Sequence, residues 1–413
     1  MTIKQQGYKG WSLVFLEDLA VSEKGSIRRG PFGGSLKKEI FVNDGYLVYE
    51  QQHAIADDFS LGRYFIDEVK YKEMEGFNVL PDDLIISCAG TIGKIAIAPD
   101  DSRAGIINQA LMRIRPDRDK VLPIYLKRYL ESPIAQREIF SKSSGSALKN
   151  LVAISEIKKS KIPLPPLEEQ KRIVAILDKA DRVRRKRQEA IRLTEELGRS
   201  IFLDMFGDPV TNPKGWEIVE IDQIVNAIES GWSPKCDSRI AEADEWGVLK
   251  LGAITWGTFN EQENKALLQN TTPKPVLEVL SGDLLFARKN TYELVGASVY
   301  VHQTRPKLLL PDLIFRLKVN NKVNPVYLWQ ALSQSSMRKE ISCLASGSSG
   351  SMPNISKARL RTLKIPLPHL DMQNKYSEIS GKFWKNQEVL KEHGKQSENL
   401  FNSLLQRAFR GEL

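Results

Sequence analysis

The chain is poor in the residues that build metal centres and cross-links. Three cysteines (Cys88, Cys236, Cys343) stand in 413 residues, with no C-x-x-C pair among them. That excludes a disulfide framework or a clustered zinc site and fits a reducing compartment. The four histidines, His53, His302, His369 and His393, are scattered without ligand spacing. No apolar run approaches the ~20 residues of a membrane span. The opening MTIKQQGYKGW has no apolar stretch of the signal-peptide kind. The expectation is a cytoplasmic protein with no membrane partner. Catalytic signatures are missing too. There is no G-x-x-x-x-G-K-[ST] phosphate loop, no H-E-x-x-H, no G-x-S-x-G, and no Asn/Asp-Pro-Pro-aromatic motif of the amino-methyltransferase kind. A nuclease-like set can be forced from Asp117, Glu156 and Lys158, but the second half offers Lys357 and Arg359 beside its helix entry. The residues point away from an enzyme.

Positive charge is in excess: 60 Lys and Arg against 51 Asp and Glu give a net charge of +9. Such a balance favours an anionic partner, nucleic acid first. The length suggests two to four domains. The main signal is a repeat. KIPLPPLEEQ begins at Lys161 and KIPLPHLDMQ at Lys364; Phe206 and Phe409 close the two stretches at the same offset of 203. Neither copy has an insertion, as a continuous helix demands, because one extra residue rotates every later side chain by about 100°. Glu168 and Glu169 suit the first turn of such a helix. Heptad rows can be followed through both copies. One row is Ile173, Ala180, Arg187, Thr194, Ile201, matched by Tyr376, Phe383, Leu390, Ser397, Leu404. The other is Ile176, Val183, Ala190, Leu197, Asp204, matched by Ile379, Asn386, His393, Leu400, Arg407. These rows predict two long helices packed on one another; the alternative is that each packs separately on its own globular unit. His393-Gly394 marks a place for a bend.

Each helix follows a body of short strands and turns. Lys9-Gly10-Trp11 and Lys214-Gly215-Trp216 open the two bodies. Residues 41–49, 83–87, 95–98 and 110–114 read as strands, with 283–287, 297–302 and 313–319 as partners in the second body. Pro123 and Pro325 each begin a helix that runs into a serine-rich loop. The Pro-rich segments before the long helices read as stops, since a residue preceding proline is pushed out of helical geometry.

In these residues the chain resembles the DNA-specificity subunits of type I restriction-modification systems. The resemblance covers nearly the whole chain. It rests on the repeated KIPLP with a following L-x-x-Q (Leu167–Gln170, Leu370–Gln373) and on Gly30-Pro31-Phe32-Gly33 and Ala89-Gly90-Thr91-Ile92-Gly93. Met205-Phe206-Gly207-Asp208-Pro209 and the closing Ala408-Phe409-Arg410-Gly411-Glu412-Leu413 complete it. It implies an α+β fold: two mixed α/β target-recognition domains (1–160 and 213–363) separated by two long, antiparallel-packed, coiled-coil-like helices with Pro-rich entries (161–212 and 364–413), as a pseudo-two-fold tandem repeat. It further implies a non-catalytic subunit that reads a split DNA site. Two adenine-methyltransferase subunits would dock on it and, through them, the restriction subunits. S-adenosylmethionine, ATP and Mg would all belong to the partner chains, and none is expected in this one. The second body has Gly231-Trp232-Ser233-Pro234 and Arg288-Lys289-Asn290-Thr291-Tyr292 in place of the Gly-rich loops, so an asymmetric site is expected. A duplicated protein–protein scaffold, or the specificity subunit of a related combined restriction-methylase, remains as an alternative.

Specificity needs side chains that reach base edges, while phosphate contacts fix register. In the first body the candidates are Arg28 and Arg29 beside the first Gly-rich loop, for bases or phosphates, and Lys37 and Lys38 for phosphates. Gln51, Gln52 and His53 follow a β-like run; Thr91 and Lys94 lie on a turn whose backbone donors suit a phosphate; Asn108 and Gln109 precede a strand. In the second body they are Trp232, Lys235, Lys250, Arg288, Lys289, Asn290 and Tyr292. The serine-rich loops add Ser144, Ser146 and Lys149, and Ser348, Ser349 and Ser351. The basic run 182–187 is read as a solvated or partner-facing helix surface.

Overall fold

The computed structural model describes residues 10–31, 33–140, 153–346 and 352–413. The chain divides into two units, Met1–Gln188 with Glu392–Leu413, and Glu189–Lys391. The division falls inside both long helices, Leu167–Phe206 and Leu370–Ala408. Each unit is therefore a globular body, the first part of the helix that follows it, and the last part of the other helix.

In the first unit Leu84–Ser87 is one of the two inner strands of a four-stranded sheet. It pairs antiparallel with Ile95–Ile97 on one side and Leu111–Ile114 on the other, and Ile27–Arg29 joins the latter. All four residues of Leu84–Ser87 are buried, which is why the strand reads as a continuous apolar run rather than an alternation. A three-stranded sheet sets Tyr46–Tyr49 antiparallel to Phe65–Ile66 and parallel to Gly105–Ile107. Only the second half of the expected 41–49 strand forms, because Asn43-Asp44-Gly45 turns the chain first. The second unit repeats this plan. Its four-stranded sheet runs Val225–Ser230, Ile314–Val319, Leu284–Ala287, Ser298–Tyr300, and its three-stranded sheet centres on Gly247–Leu249 with one antiparallel and one parallel neighbour. Helix Pro123–Glu131 has its counterpart in Pro325–Ser333, each with proline in its first turn. A further helix, Ser335–Cys343, intervenes before the second serine-rich loop.

The Pro-rich segments are more than stops. Lys161–Leu164 is a strand paired antiparallel with Ser12–Phe15, and Lys364–Leu367 pairs likewise with Glu217–Glu220. Proline is tolerated there because a two-stranded ribbon leaves one edge free of ladder bonds. Each ribbon ties the start of a body to its helix entry, so a boundary drawn at 160/161 runs through a strand pair. The glutamine of each L-x-x-Q locks the corner. Gln170 is buried, accepts from Leu122 N–H (2.9 Å) and donates to the carbonyls of Pro165 (2.9 Å) and Lys120 (3.0 Å). Gln373 does the same with Asn324 N–H (2.8 Å) and the Pro368 carbonyl (2.7 Å).

Inside each unit the two helix segments run antiparallel. In the first, Arg172 reaches the Leu413 carbonyl (2.9 Å) and Arg184 pairs with Glu398 (3.2 Å). In the second, Phe202 lies edge-on to Tyr376 (5.4 Å). In the row led by Ile173 and Tyr376 those two residues are buried and the rest half-buried. In the other row Val183, Leu197 and Leu400 are 44, 51 and 57 % exposed. Burial follows Gln170, Ile173, Leu177 and Asp181 instead, the three-and-four spacing of a helix packed on a body as well as on a partner helix. The closing helix runs through His393-Gly394 without a break.

Candidate nucleic-acid interface

Four segments far apart in sequence converge at one end of the first body. Gly30 follows its strand so closely on Asn108 that a Cβ there would sit 1.9 Å from the Asn108 carbonyl oxygen. Only glycine permits that approach. Arg29 Nε donates to the Gln109 carbonyl (3.3 Å). The Gln51 amide lies beside Gly90, which has φ +60°. Asn108 N–H donates to the Tyr49 carbonyl (3.0 Å) and Cys88 N–H to the Ala110 carbonyl (2.8 Å), which brings 29–30, 51–52, 90–91 and 108–109 together. Gly231 repeats the close approach in the second body, where a Cβ would sit 2.0 Å from the Leu310 carbonyl oxygen. There Arg288 N–H donates to Leu313, Ile355 N–H to Arg288 and Asn290 N–H to Pro353, so 231, 288–290, 310–313 and 353–355 converge.

Several expected contacts are turned inward. His53 is buried with its ring nitrogens engaged, Nε2 at 2.8 Å from the Leu61 carbonyl and Nδ1 facing Glu50; it has no edge left for a base. Gln51, Gln52 and His53 open a helix, Gln51–Ala56, directly after the strand Tyr46–Tyr49, and Gln52 is exposed. Arg28 sits over the Phe77 ring (3.9 Å) and donates to the Gly76 carbonyl (3.2 Å). The Asn108 side chain accepts from Ala110 N–H (3.0 Å). On the 90–94 turn, Gly93 N–H is bound by the Ser87 carbonyl and Lys94 N–H by Ser87 Oγ. Two of the turn's backbone donors are therefore spent inside the body, while the Lys94 and Thr91 side chains are exposed. Lys37, Lys38 and Gln109 are exposed. In the second body Asn290 is 8 % exposed with its Oδ1 taken by Thr291 N–H, and Arg288 faces the Phe315 ring at 5.6 Å. Lys250 N–H is bound by the Glu263 carbonyl and its ammonium sits 3.9 Å from the Glu263 carboxylate. Lys235 and Tyr292 are exposed, Trp232 and Lys289 half-buried. Ser144, Ser146, Lys149, Ser348, Ser349, Ser351 and Phe32 lie outside the described residues.

One cation escaped the sequence reading. Lys274 Nζ sits 4.4 Å over the Trp232 ring, a cation–π pair that holds the tryptophan beside the converged loops. The only clue in sequence is its place in the Pro273-Lys274-Pro275 kink. The basic run on the central helix is tied up in part: Arg184 and Arg185 both hold Asp181 (2.7 and 3.0 Å). Burial works against ionisation of Asp181, yet hydrogen bonds from Arg184 and the charge of Arg128 keep its carboxyl below the usual range. Among the described residues no group of His, Cys, Asp and Glu could hold a metal ion, and no helix is long and apolar enough to cross a membrane.

The comparisons agree with this architecture. Residues 8–194 and 213–397 each match the family described as "Type I restriction modification DNA specificity domain". The EcoEI specificity subunit of Escherichia coli is 34% identical over 185 residues, 44% of this chain and 31% of that subunit. The putative MjaX specificity subunit of Methanocaldococcus jannaschii is 26% identical over 75% of this chain and 73% of its own length. The crystal structure of the S subunit from M. genitalium superposes with a TM-score of 0.57 at 15% identity, covering 97% of this chain and 96% of that one, which speaks for the fold alone. Specificity subunits of this kind are non-catalytic, and catalysis lies in other subunits. With two copies of the family's domain in tandem, each on its own recognition body and helix entry, this chain belongs to the type I restriction-modification DNA specificity family.

Proposed function

We propose that this chain reads a split, asymmetric site in double-stranded DNA, one half per recognition body, in the cytoplasm. It docks two adenine-methyltransferase subunits and, through them, the restriction subunits. The observation that carries the asymmetry is a length difference. The turn between paired strands Leu84–Ser87 and Ile95–Ile97 has three residues fewer than its equivalent between Leu284–Ala287 and Ser298–Tyr300. Two bodies of one topology that present loops of different length and chemistry at the same place read different bases. The outward apolar row on the long helices (Val183, Leu197, Leu400) supports docking, since a protein partner gains by covering it. Co-expression with the cognate methyltransferase, followed by single-molecule mapping of methylated adenines, is expected to give a split motif with unequal halves and a fixed gap. A palindromic motif, or a stable complex without methylation, would sink this reading.

The helices set the gap. Register is fixed in the first unit by Arg184–Glu398 and in the second by Phe202–Tyr376. An insertion that preserves both belongs at Gln188/Glu189, matched by an equal one at Lys391/Glu392. Seven residues in each is roughly two turns and ~10 Å, or about three base pairs at 3.4 Å each. The same methylation map should then report unchanged half-sites and a gap longer by about three. An unchanged gap refutes the ruler role.

A further inference from the structure

A cavity of about 480 Å³ lies within the second unit, walled by the recognition body on one side and by the two long-helix segments of that unit on the other. Three of the chain's seven tryptophans line it: Trp256, Trp329 and Trp384. The first unit handles the same place differently. Trp329 is the fifth residue of Pro325–Ser333, and the fifth residue of Pro123–Glu131 is Lys127, buried and bonded to Asp57 (2.7 Å). Trp384 stands 203 residues after Asp181, which is 3 % exposed and holds three arginines. Where one copy of the fold places ion pairs at these two positions, the other lines a cavity with aromatic rings.

Its chemistry is specific. His302 stacks on Trp384 (4.6 Å, 14°) and meets Tyr300 and Trp329 edge-on. Burial takes His302 down to about 4, so the ring is neutral at ordinary pH. Its Nε2 is buried with no hydrogen-bond partner among the described residues, a cost that an occupant would relieve. Trp256 is 78 % exposed at the mouth, a free platform. Gln303, Gln330 and Gln387 line the cavity with amides that make no side-chain hydrogen bond among the described residues. Charges nearly cancel: Glu195, Glu261 and Glu388 face Arg199 and Lys391. Neither a phosphate nor a strong cation is selected. Aromatic faces grip a flat ring whatever its edge, and glutamine amides read paired donor and acceptor positions on that edge. The volume lies in the range of small-ligand sites.

We propose that this cavity binds an uncharged, planar nitrogen heterocycle, the chemistry shared by an unpaired nucleobase and a free nucleoside. Trp256 stacks on the face of the ring, and Gln387 and Gln330 pair with its edge. The proposal stands apart from recognition of the split site, whose loops lie elsewhere in the body.

Calorimetric titration of the full chain with adenosine, and separately with a short single-stranded oligodeoxyadenylate, tests it. Saturable binding of either probe is expected, weakened roughly tenfold or more by Trp256→Ala and more modestly by Gln387→Ala. Lys72→Ala, in an exposed ion pair with Glu68 on the first unit and outside the cavity lining, should leave it unchanged. Trp256 is exposed, so its loss should not move the melting temperature, and a melt of each variant checks this. Binding of the oligonucleotide alone assigns the occupant to nucleic acid; binding of adenosine assigns it to the free nucleoside. Three results overturn the proposal: no saturable binding of either probe, binding untouched by Trp256→Ala, or indole bound as tightly as adenosine.

Discussion

Phe409→Ala is expected to open the first unit while sparing the second, although Phe409 lies some 245 residues beyond that unit's recognition body in sequence. The ring is fully buried and meets Tyr125 and Tyr129 edge-on at 5.6 and 5.2 Å, with Leu405, Ala408 and Phe401 in the same core. Truncating such a ring leaves a cavity worth about 3–5 kcal/mol, a large part of the stability of a typical domain. Tyr125 also donates to the Pro163 carbonyl (2.8 Å), so loosening it loosens the ribbon that launches the central helix. Hydrogen exchange should show lost protection over Ser12–Phe15 and Lys161–Leu164, with Leu284–Ala287 unchanged. Phe206→Ala should do the reverse, because Phe206 packs on Tyr327 (4.9 Å) and Tyr376 (5.5 Å). If Phe409→Ala left the first unit's exchange untouched, the crossed arrangement of the helix ends would be wrong.

Asp283→Ala is expected to cost the second unit about as much, through charge rather than shape. The carboxylate is 5 % exposed and takes Arg316 (3.0 Å), Lys318 (2.9 Å) and Leu280 N–H (3.0 Å). Arg316 is 4 % exposed, and without Asp283 it keeps only Glu229 as a counter-ion among the described residues. Removing one partner of a buried pair typically costs about 3–5 kcal/mol, because the other charge stays desolvated. The first unit repeats the device. Asp83 takes Arg115 through two 2.8 Å bonds and Leu80 N–H at 2.8 Å, with Arg113 alongside. Arg113 shows the strain of the site: burial pulls it down to about 10. Denaturant unfolding should register both substitutions, each in its own unit. Replacing exposed Glu189, paired with Arg192 on the helix surface, should change stability by less than about 1 kcal/mol. A comparable loss from Glu189 would mean that burial is not what makes the aspartates matter.

These two sites show what sequence alone reveals. The 203-residue offset links Phe206 to Phe409, and Asp83 and Asp283 stand just before matching strands, so the duplication, the long helices and the family were all legible before any coordinates. Each depends on local order, on spacing along the chain that a reader can count. The absence of catalytic motifs was legible in the same way. What the sequence did not reveal is which segments pair across long separations. KIPLP reads as a chain-breaker, because the proline rule is local; that it forms a strand depends on Ser12–Phe15 lying beside it. Gln170 and Gln373 look like ordinary polar residues at a helix start until the chain from Lys120 and Lys322 folds over them. His53, Arg28 and Asn290 look like base readers because they are polar and beside loops, yet each is used inside its own body.

Composition and periodicity thus determined what the elements are, how often they recur and to which family the chain belongs. The tertiary structure alone decided which unit owns each helix end, and which polar side chains are spent inside their own body. The physical reason is that a buried partner can lie hundreds of residues away, and burial, not residue type, commits a side chain to the fold or leaves it for a ligand.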